Sequence, residues 1–101
     1  MVLVANSGAV KTAWSVLYEG TEVLGFTTAD SNLDLRYSNN IVAAINRNLD
    51  QEIINLGFKA VYFYGFYVNE IEKSSMREAL ESVFEGAEVV VSQNSNQGPK
   101  F

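Results

Sequence analysis

Two amphipathic stretches, 38–57 and 69–86, each closed by a glycine, alternate with strand-like apolar runs, and that alternation leaves the chain few architectures. In the first, Ser38 is placed to cap a helix on which Ile41, Ile45, Leu49, Ile53 and Leu56 recur every three or four residues until Gly57 ends it. In the second, Asn69 with Glu72 reads as a variant of the capping box. Ile71, Met76, Ala79, Leu80, Val83 and Phe84 form its apolar face, and Gly86 is its stop. Between and after the helices, FKAVYFYGF (58–66) and AEVVVS (87–92) are rich in β-branched and aromatic residues and read as strands. Upstream, VLVA (2–5), AWSVLY (13–18) and TEVLGFTT (21–28) read as three more, the last two joined by a Glu19-Gly20 hairpin turn.

The element order is therefore βββαβαβ. Each helix has the length of a right-handed crossover, so the first, fourth and fifth strands become parallel neighbours, with the second and third antiparallel beside the first. The expected fold is α/β: a mixed five-stranded sheet of order 3-2-1-4-5 with helices packed on it. This is the ribonuclease H-like arrangement of sugar kinases, actin and heat-shock ATPases. It is expected to occupy residues 1–92 as one subdomain, with 93–101 as a flexible tail lacking periodicity.

Composition narrows the partners. With 7 basic and 12 acidic residues the net charge is −5, and no window is rich in Lys or Arg, which argues against nucleic acid and membrane surfaces. The chain has no cysteine and no histidine, so disulfides, thiolate metal sites and imidazole catalysis are excluded. The MVLVANSG start carries neither a basic n-region nor an apolar run of spanning length, and a cytoplasmic location is expected.

Such a sheet supports two chemistries. A two-metal nuclease needs converging carboxylates, one of them in the first strand, but that strand ends in Asn6 and KAVYFYGF carries no acid. The alternative is phosphoryl transfer, and it turns on NSGAVKT (6–12), a glycine and lysine between two apolar runs. Here the chain resembles the BadF/BadG/BcrA/BcrD ATPase family, which includes N-acetylglucosamine kinase-like proteins. VLVANSGAVKTAW resembles an apolar run followed by D-S-G-S-T-K-T-D-W, FYG (63–65) matches an F-Y-G motif, and ALESVFEGAEVVV precedes the position of an S-D-L motif. The resemblance covers about residues 1–92, and only the N-terminal subdomain of that family.

What the resemblance implies is an ATP-dependent kinase in which the acid at position 6 helps hold magnesium. Residues Ser7 to Thr12 would wrap the phosphates, and the acid at position 93 would activate a sugar hydroxyl. This chain keeps Ser7, Gly8, Lys11, Thr12 and Trp14 but has Asn6, Ala9, Val10, Ala13 and Gln93 at the other positions. Phe66-Tyr67 stands where the family is glycine-rich, and of the G-I-N-P substrate loop only Asn32 remains. An amide in place of a carboxylate removes charge on which phosphoryl transfer depends. The expectation is an isolated, catalytically inactive subdomain, excised or redesigned, with no catalytic residue, no metal and no resident cofactor. Ser7, Gly8, Lys11 and Thr12 would be a vestigial phosphate loop, and Asn32 a residual substrate contact. The alternatives are the Mg-ATP-binding part of a sugar or acyl-group kinase, and a protein-interaction module that self-associates through an open sheet edge.

Other features have plainer readings. Lys11 reads as a solvated charge in a hairpin loop, and Asp30 and Asp34 as solvated loop acids. Tyr62, Phe63, Tyr64, Phe66 and Tyr67 read as core beneath helices on one face of the sheet or the other. Glu70, Glu72, Glu78, Glu81 and Glu85, interleaved with Lys73 and Arg77, read as the polar side of the second helix.

Overall fold

The computed structural model describes residues 1–8, 10–29 and 34–94. Its elements are β1 (Val2–Ser7), β2 (Lys11–Tyr18), β3 (Thr21–Ala29), α1 (Ser38–Asn48), α2 (Gln51–Ile54), β4 (Ala60–Gly65), α3 (Glu70–Val83) and β5 (Glu88–Gln93). The strands form one sheet of order β3-β2-β1-β4-β5, as expected. β1 pairs antiparallel with β2 and parallel with β4, β2 antiparallel with β3, and β4 parallel with β5. The β2–β3 turn places Glu19 at φ 51° and Gly20 at φ 80°, the pair of left-handed residues whose twist suits a two-residue hairpin. β5 runs through Gln93, and Asn94 beyond it is buried, so the framework reaches past residue 92. The expected tail from 95 onward lies outside the described residues.

Strand alternation sorts the side chains into two faces. Leu3 and Ala5 of β1, Trp14 and Val16 of β2, Val61 and Phe63 of β4 and Val91 of β5 form one buried layer with Ile41 and Ile45 of α1 and Met76, Ala79 and Leu80 of α3. Both long helices thus pack on the same face and against each other. This corrects the expectation of helices on either face. Two successive right-handed crossovers that step the same way, from β1 to β4 to β5, must return over the same side. Tyr62 and Tyr64 consequently lie half-buried on the face that no described helix covers, and of the aromatic run only Phe63 is fully in the core.

The first amphipathic stretch is two helices rather than one. Leu49 is extended (φ −107°, ψ 138°) and Asp50 caps α2 in an extended conformation. Asn48 and Asp50 are weak helix formers, and breaking the helix between them lets Leu49 drop into the core, where it is 4% exposed. Ser38 is the first helical residue and not the cap. Tyr37 occupies that position and gives no side-chain cap bond. On α3 the apolar face is as expected except for Ile71, which is 64% exposed, while Ser75 takes a buried place instead. No helix among the described residues is long and apolar enough to cross a membrane.

Candidate functional site

The parallel strands β1, β4 and β5 end on one side of the sheet, where the crevice beyond strand carboxyl ends is the usual ligand position in such folds. Register brings Ser7 opposite Thr12, and Thr12 opposite Thr28, so the inner face of the sheet changes from apolar to hydroxylic at this end. A cavity of about 300 Å³ opens here between the sheet and α1. Trp14 and Phe63 form its floor, Ile41 and Ile45 its roof and Met76 its side, with Ser7, Gly8, Thr12, Thr28, Asn48 and Gly65 toward its mouth. Trp14 is fixed by an Nε1–H bond to Thr28 Oγ1 of 2.9 Å, by stacking on Phe26 at 6.2 Å and by an edge contact with Phe63 at 5.8 Å.

Ser7, Gly8, Lys11 and Thr12 close the connection between β1 and β2. The Gly8 N–H donates to the Lys11 carbonyl at 2.8 Å, closing the turn on itself. Thr12 Oγ1 donates to Ser7 Oγ at 3.2 Å, and Thr12 is only 3% exposed. Of the four residues expected in the phosphate loop, Ser7, Gly8 and Thr12 line the cavity and Lys11 does not. Lys11 alternates to the opposite side of β2 and is exposed, which agrees with its reading as a solvated charge.

Asn6 and Gln93 do not meet. Asn6 pairs with Tyr64 and Tyr64 with Ser92, on the helix-free face, whereas Gln93 pairs with Gly65 on the helix-covered one. Asn6 Oδ1 is buried and has no hydrogen-bond partner among the described residues. Asn32 lies outside the described residues, as does Asp30. Asp34 is not a bare solvated acid: both its oxygens receive the Arg36 guanidinium, at 3.0 and 2.9 Å.

Three residues of the site escaped the sequence reading. Thr28 could have been found by counting the hairpin register back from Glu19-Gly20. Tyr67, expected in the core, lies over Gly65 so closely that a Cβ there would stand 2.8 Å from the Tyr67 hydroxyl. That hydroxyl is buried without a partner among the described residues, and burial pushes its pKa above the ordinary phenol value. Asn94 falls within the expected tail yet is buried. Its backbone N–H donates to the Gly65 carbonyl at 2.7 Å and its Nδ2 to the Ser7 carbonyl at 3.2 Å, tying the ends of β4 and β1 together.

The implied group for this fold, a magnesium-bound nucleotide, does not fit these residues. Among the described residues no three carboxylates converge. Among the described residues the cavity walls carry no charged side chain, the Gly8 amide is already bonded, and the orphaned Asn6 oxygen is on the other face.

Among solved structures, the chain is similar to a provisionally assigned N-acetylglucosamine kinase from Porphyromonas gingivalis, with a TM-score of 0.77 and 27% identity over 92% of this chain and 34% of that one. It is also similar to a provisionally assigned N-acetylmannosamine kinase from Listeria monocytogenes, with a TM-score of 0.64 and 16% identity over 94% of this chain and 35% of that one. No protein-family model matches the chain, and no curated protein does. The fold is that of the actin-like ATPase subdomain found in sugar kinases, and the chain spans about a third of the length of the solved structures it matches.

Proposed function

We propose that this chain is a kinase-like N-terminal subdomain, related to the BadF/BadG and N-acetylglucosamine kinase-like proteins, that does not bind magnesium-nucleotide by itself. The kinship rests on the sheet order and on 27% identity to the Porphyromonas gingivalis protein over nearly the whole chain. One observation carries the loss of nucleotide binding: the Gly8 amide, a donor that a phosphate cradle would need, is spent inside the turn. Phosphate cradles work because several backbone N–H groups and a lysine converge on the anion. Here the Gly8 amide serves the Lys11 carbonyl, and Lys11 lies outside the cavity.

Isothermal titration with Mg-ATP, together with thermal melts in its presence, tests the reading. Saturation at a hundredfold over Kd would add about 2.7 kcal/mol of stability, so even modest binding would raise the melting temperature. The expected result is no titration heat above dilution and no shift; saturable binding in the micromolar range would refute it.

A second reading has one observation in its favour. Among the described residues β3 is bonded on one side only; it runs for nine residues and exposes Val23 and Leu24 at 57% and 41%. Such an edge is a template for pairing with a second copy of the chain.

A further inference from the structure

We propose that the helix-free face of the sheet is an interface at which two copies of this chain pack sheet against sheet, about a two-fold axis running along β1. This surface is separate from the β3 edge, and nothing in it depends on the nucleotide reading.

Incomplete cover is the first observation. Parallel strands occur almost only in sheets that are packed on both faces. Here β1, β4 and β5 are parallel, yet α1 and α3 lie together on one side of them. On the other side Tyr62, Tyr64 and Val90 are half-buried, and no described helix lies over them.

Shape points to the occupant. Strand register sets Ala13 of β2 level with Tyr64 of β4, and Ser15 of β2 level with Tyr62, with Asn6 and Val4 of β1 between them. Gly25 of β3 extends the second row beyond Ser15. The β4 half is therefore a ridge of phenol rings and the β2–β3 half a trough of small side chains. Turning a second copy about β1 lays the ridge of each copy in the trough of the other. Tyr64 meets Ala13 of the partner subunit, Tyr62 meets the partner subunit's Ser15, and the two copies of Val4 meet on the axis. A two-fold contact needs this kind of self-complementary surface, and stacked sheets interdigitate in the same way.

Charge and area set the strength. The charged residues that register places on this face are Lys11, Glu22 and Glu88, and none of them stands on β1 or β4. Glu22 folds back over Gly25, where its carboxylate accepts from the Ser15 hydroxyl, so it lies low in the trough. The axis sets Glu88 of β5 over β3 of the partner subunit, beside the partner subunit's Glu22, and this like-charge pair opposes the contact. Strands about 4.8 Å apart and rows spanning about 20 Å give each copy a face of roughly 480 Å², so the pair buries about 1,000 Å², the least that specific association needs. The dimer is weak and reversible.

Sedimentation equilibrium of the whole chain measures it, and should show monomer and dimer exchanging as concentration rises. Ala13→Arg places a long charged side chain in the trough, at an exposed position away from both edge strands, and should leave a monomer throughout. Tyr62→Ser removes the ridge and should weaken the dimer at least tenfold, since the axis counts each lost ring twice. Glu88→Gln removes the like-charge pairs and should tighten it about threefold at low salt, with no gain at high salt. A dispersed ¹⁵N–¹H spectrum shows that each variant folds; if Tyr62→Ser does not, Ala13→Arg, on an exposed residue, decides alone. The proposal is overturned if the wild-type chain stays monomeric up to millimolar concentration or grows into open-ended polymers. It is equally overturned if Ala13→Arg dimerises as well as the wild type, which is what pairing through an edge strand would give, or if Glu88→Gln leaves the low-salt affinity unchanged.

Discussion

Arg36 organises its loop with two neighbours and ties it to α3 by one contact. Its guanidinium grips both oxygens of Asp34 at 3.0 and 2.9 Å, it lies 5.4 Å from the centre of the Tyr37 ring, and its carbonyl accepts from the buried Ser75 hydroxyl of α3 at 3.0 Å. The hydrogen bonds from Arg36, side chain first and backbone next, hold the Asp34 carboxyl down at about 2. A depressed carboxyl stabilises the fold above the unfolded value near 3.9, and that contribution disappears as pH falls toward 2. A carbon-detected titration of Asp34 should therefore show its midpoint at about 2, and Arg36→Gln should raise it toward about 3.9 without reaching it, because the backbone N–H of residue 36 still donates to Asp34. A wild-type midpoint already near 3.9 would show that the pair does not persist in solution. Sequence could not reveal this pair, since two charges two apart in a loop have no periodicity that aims them at each other. Positions governed by backbone sterics were easier to read: Gly20, Gly57 and Gly86 all have positive φ where turns or helix stops were expected.

At the level of elements, the start of α3 shows why caps are legible. Asn69 Oδ1 accepts from the Glu72 N–H at 3.1 Å, and the Glu72 carboxylate reaches back to the Val68 N–H at 2.9 Å. This is the reciprocal pattern expected from Asn69 and Glu72, shifted by one residue on the return bond, and it satisfies donors that a helix start leaves open. Asn69→Ala should cost about 1 kcal/mol in urea denaturation with an unchanged m-value, whereas a cost near zero would show that water replaces the cap. The break before α2 was not legible, because Leu49 continues the helical spacing set by Ile41 and Ile45. Periodicity reports which residues are buried. It does not report whether the backbone stays helical to bury them, and here tertiary packing of Leu49 overrode the pattern. The candidate site was legible in the same uneven way. Hairpin residues Ser7, Gly8 and Thr12 were found from their motif, while Tyr67 and Asn94 depend on the approach of β4 and β5 ends that local sequence does not encode.

For the whole molecule, sheet order followed from element order, because crossover handedness and the brief Glu19-Gly20 turn leave one simple arrangement. Among the described residues the same order fixes two open edges, and β3 and β5 each have a neighbour on one side only. Two opposing features act on β3. The register with β2 shifts between Val16 and Leu17, a bulge that twists the first half of the edge away from a flat template. Beyond it, Leu24 to Ala29 pair regularly with β2 and present an unbroken outer edge without a lysine or proline. A net charge of −5 opposes close approach of two copies, and salt weakens that repulsion. A short regular edge set against long-range repulsion predicts weak, salt-promoted association. Sedimentation velocity should show a weight-average coefficient that rises with protein concentration, and rises more steeply in 0.5 M salt, roughly where exposed charges more than a few ångströms apart are screened. Thr27→Lys puts a charge in the middle of the regular segment and should restore the monomer at both ionic strengths. A single species that ignores concentration and salt would mean that the bulge alone is enough to blunt the edge.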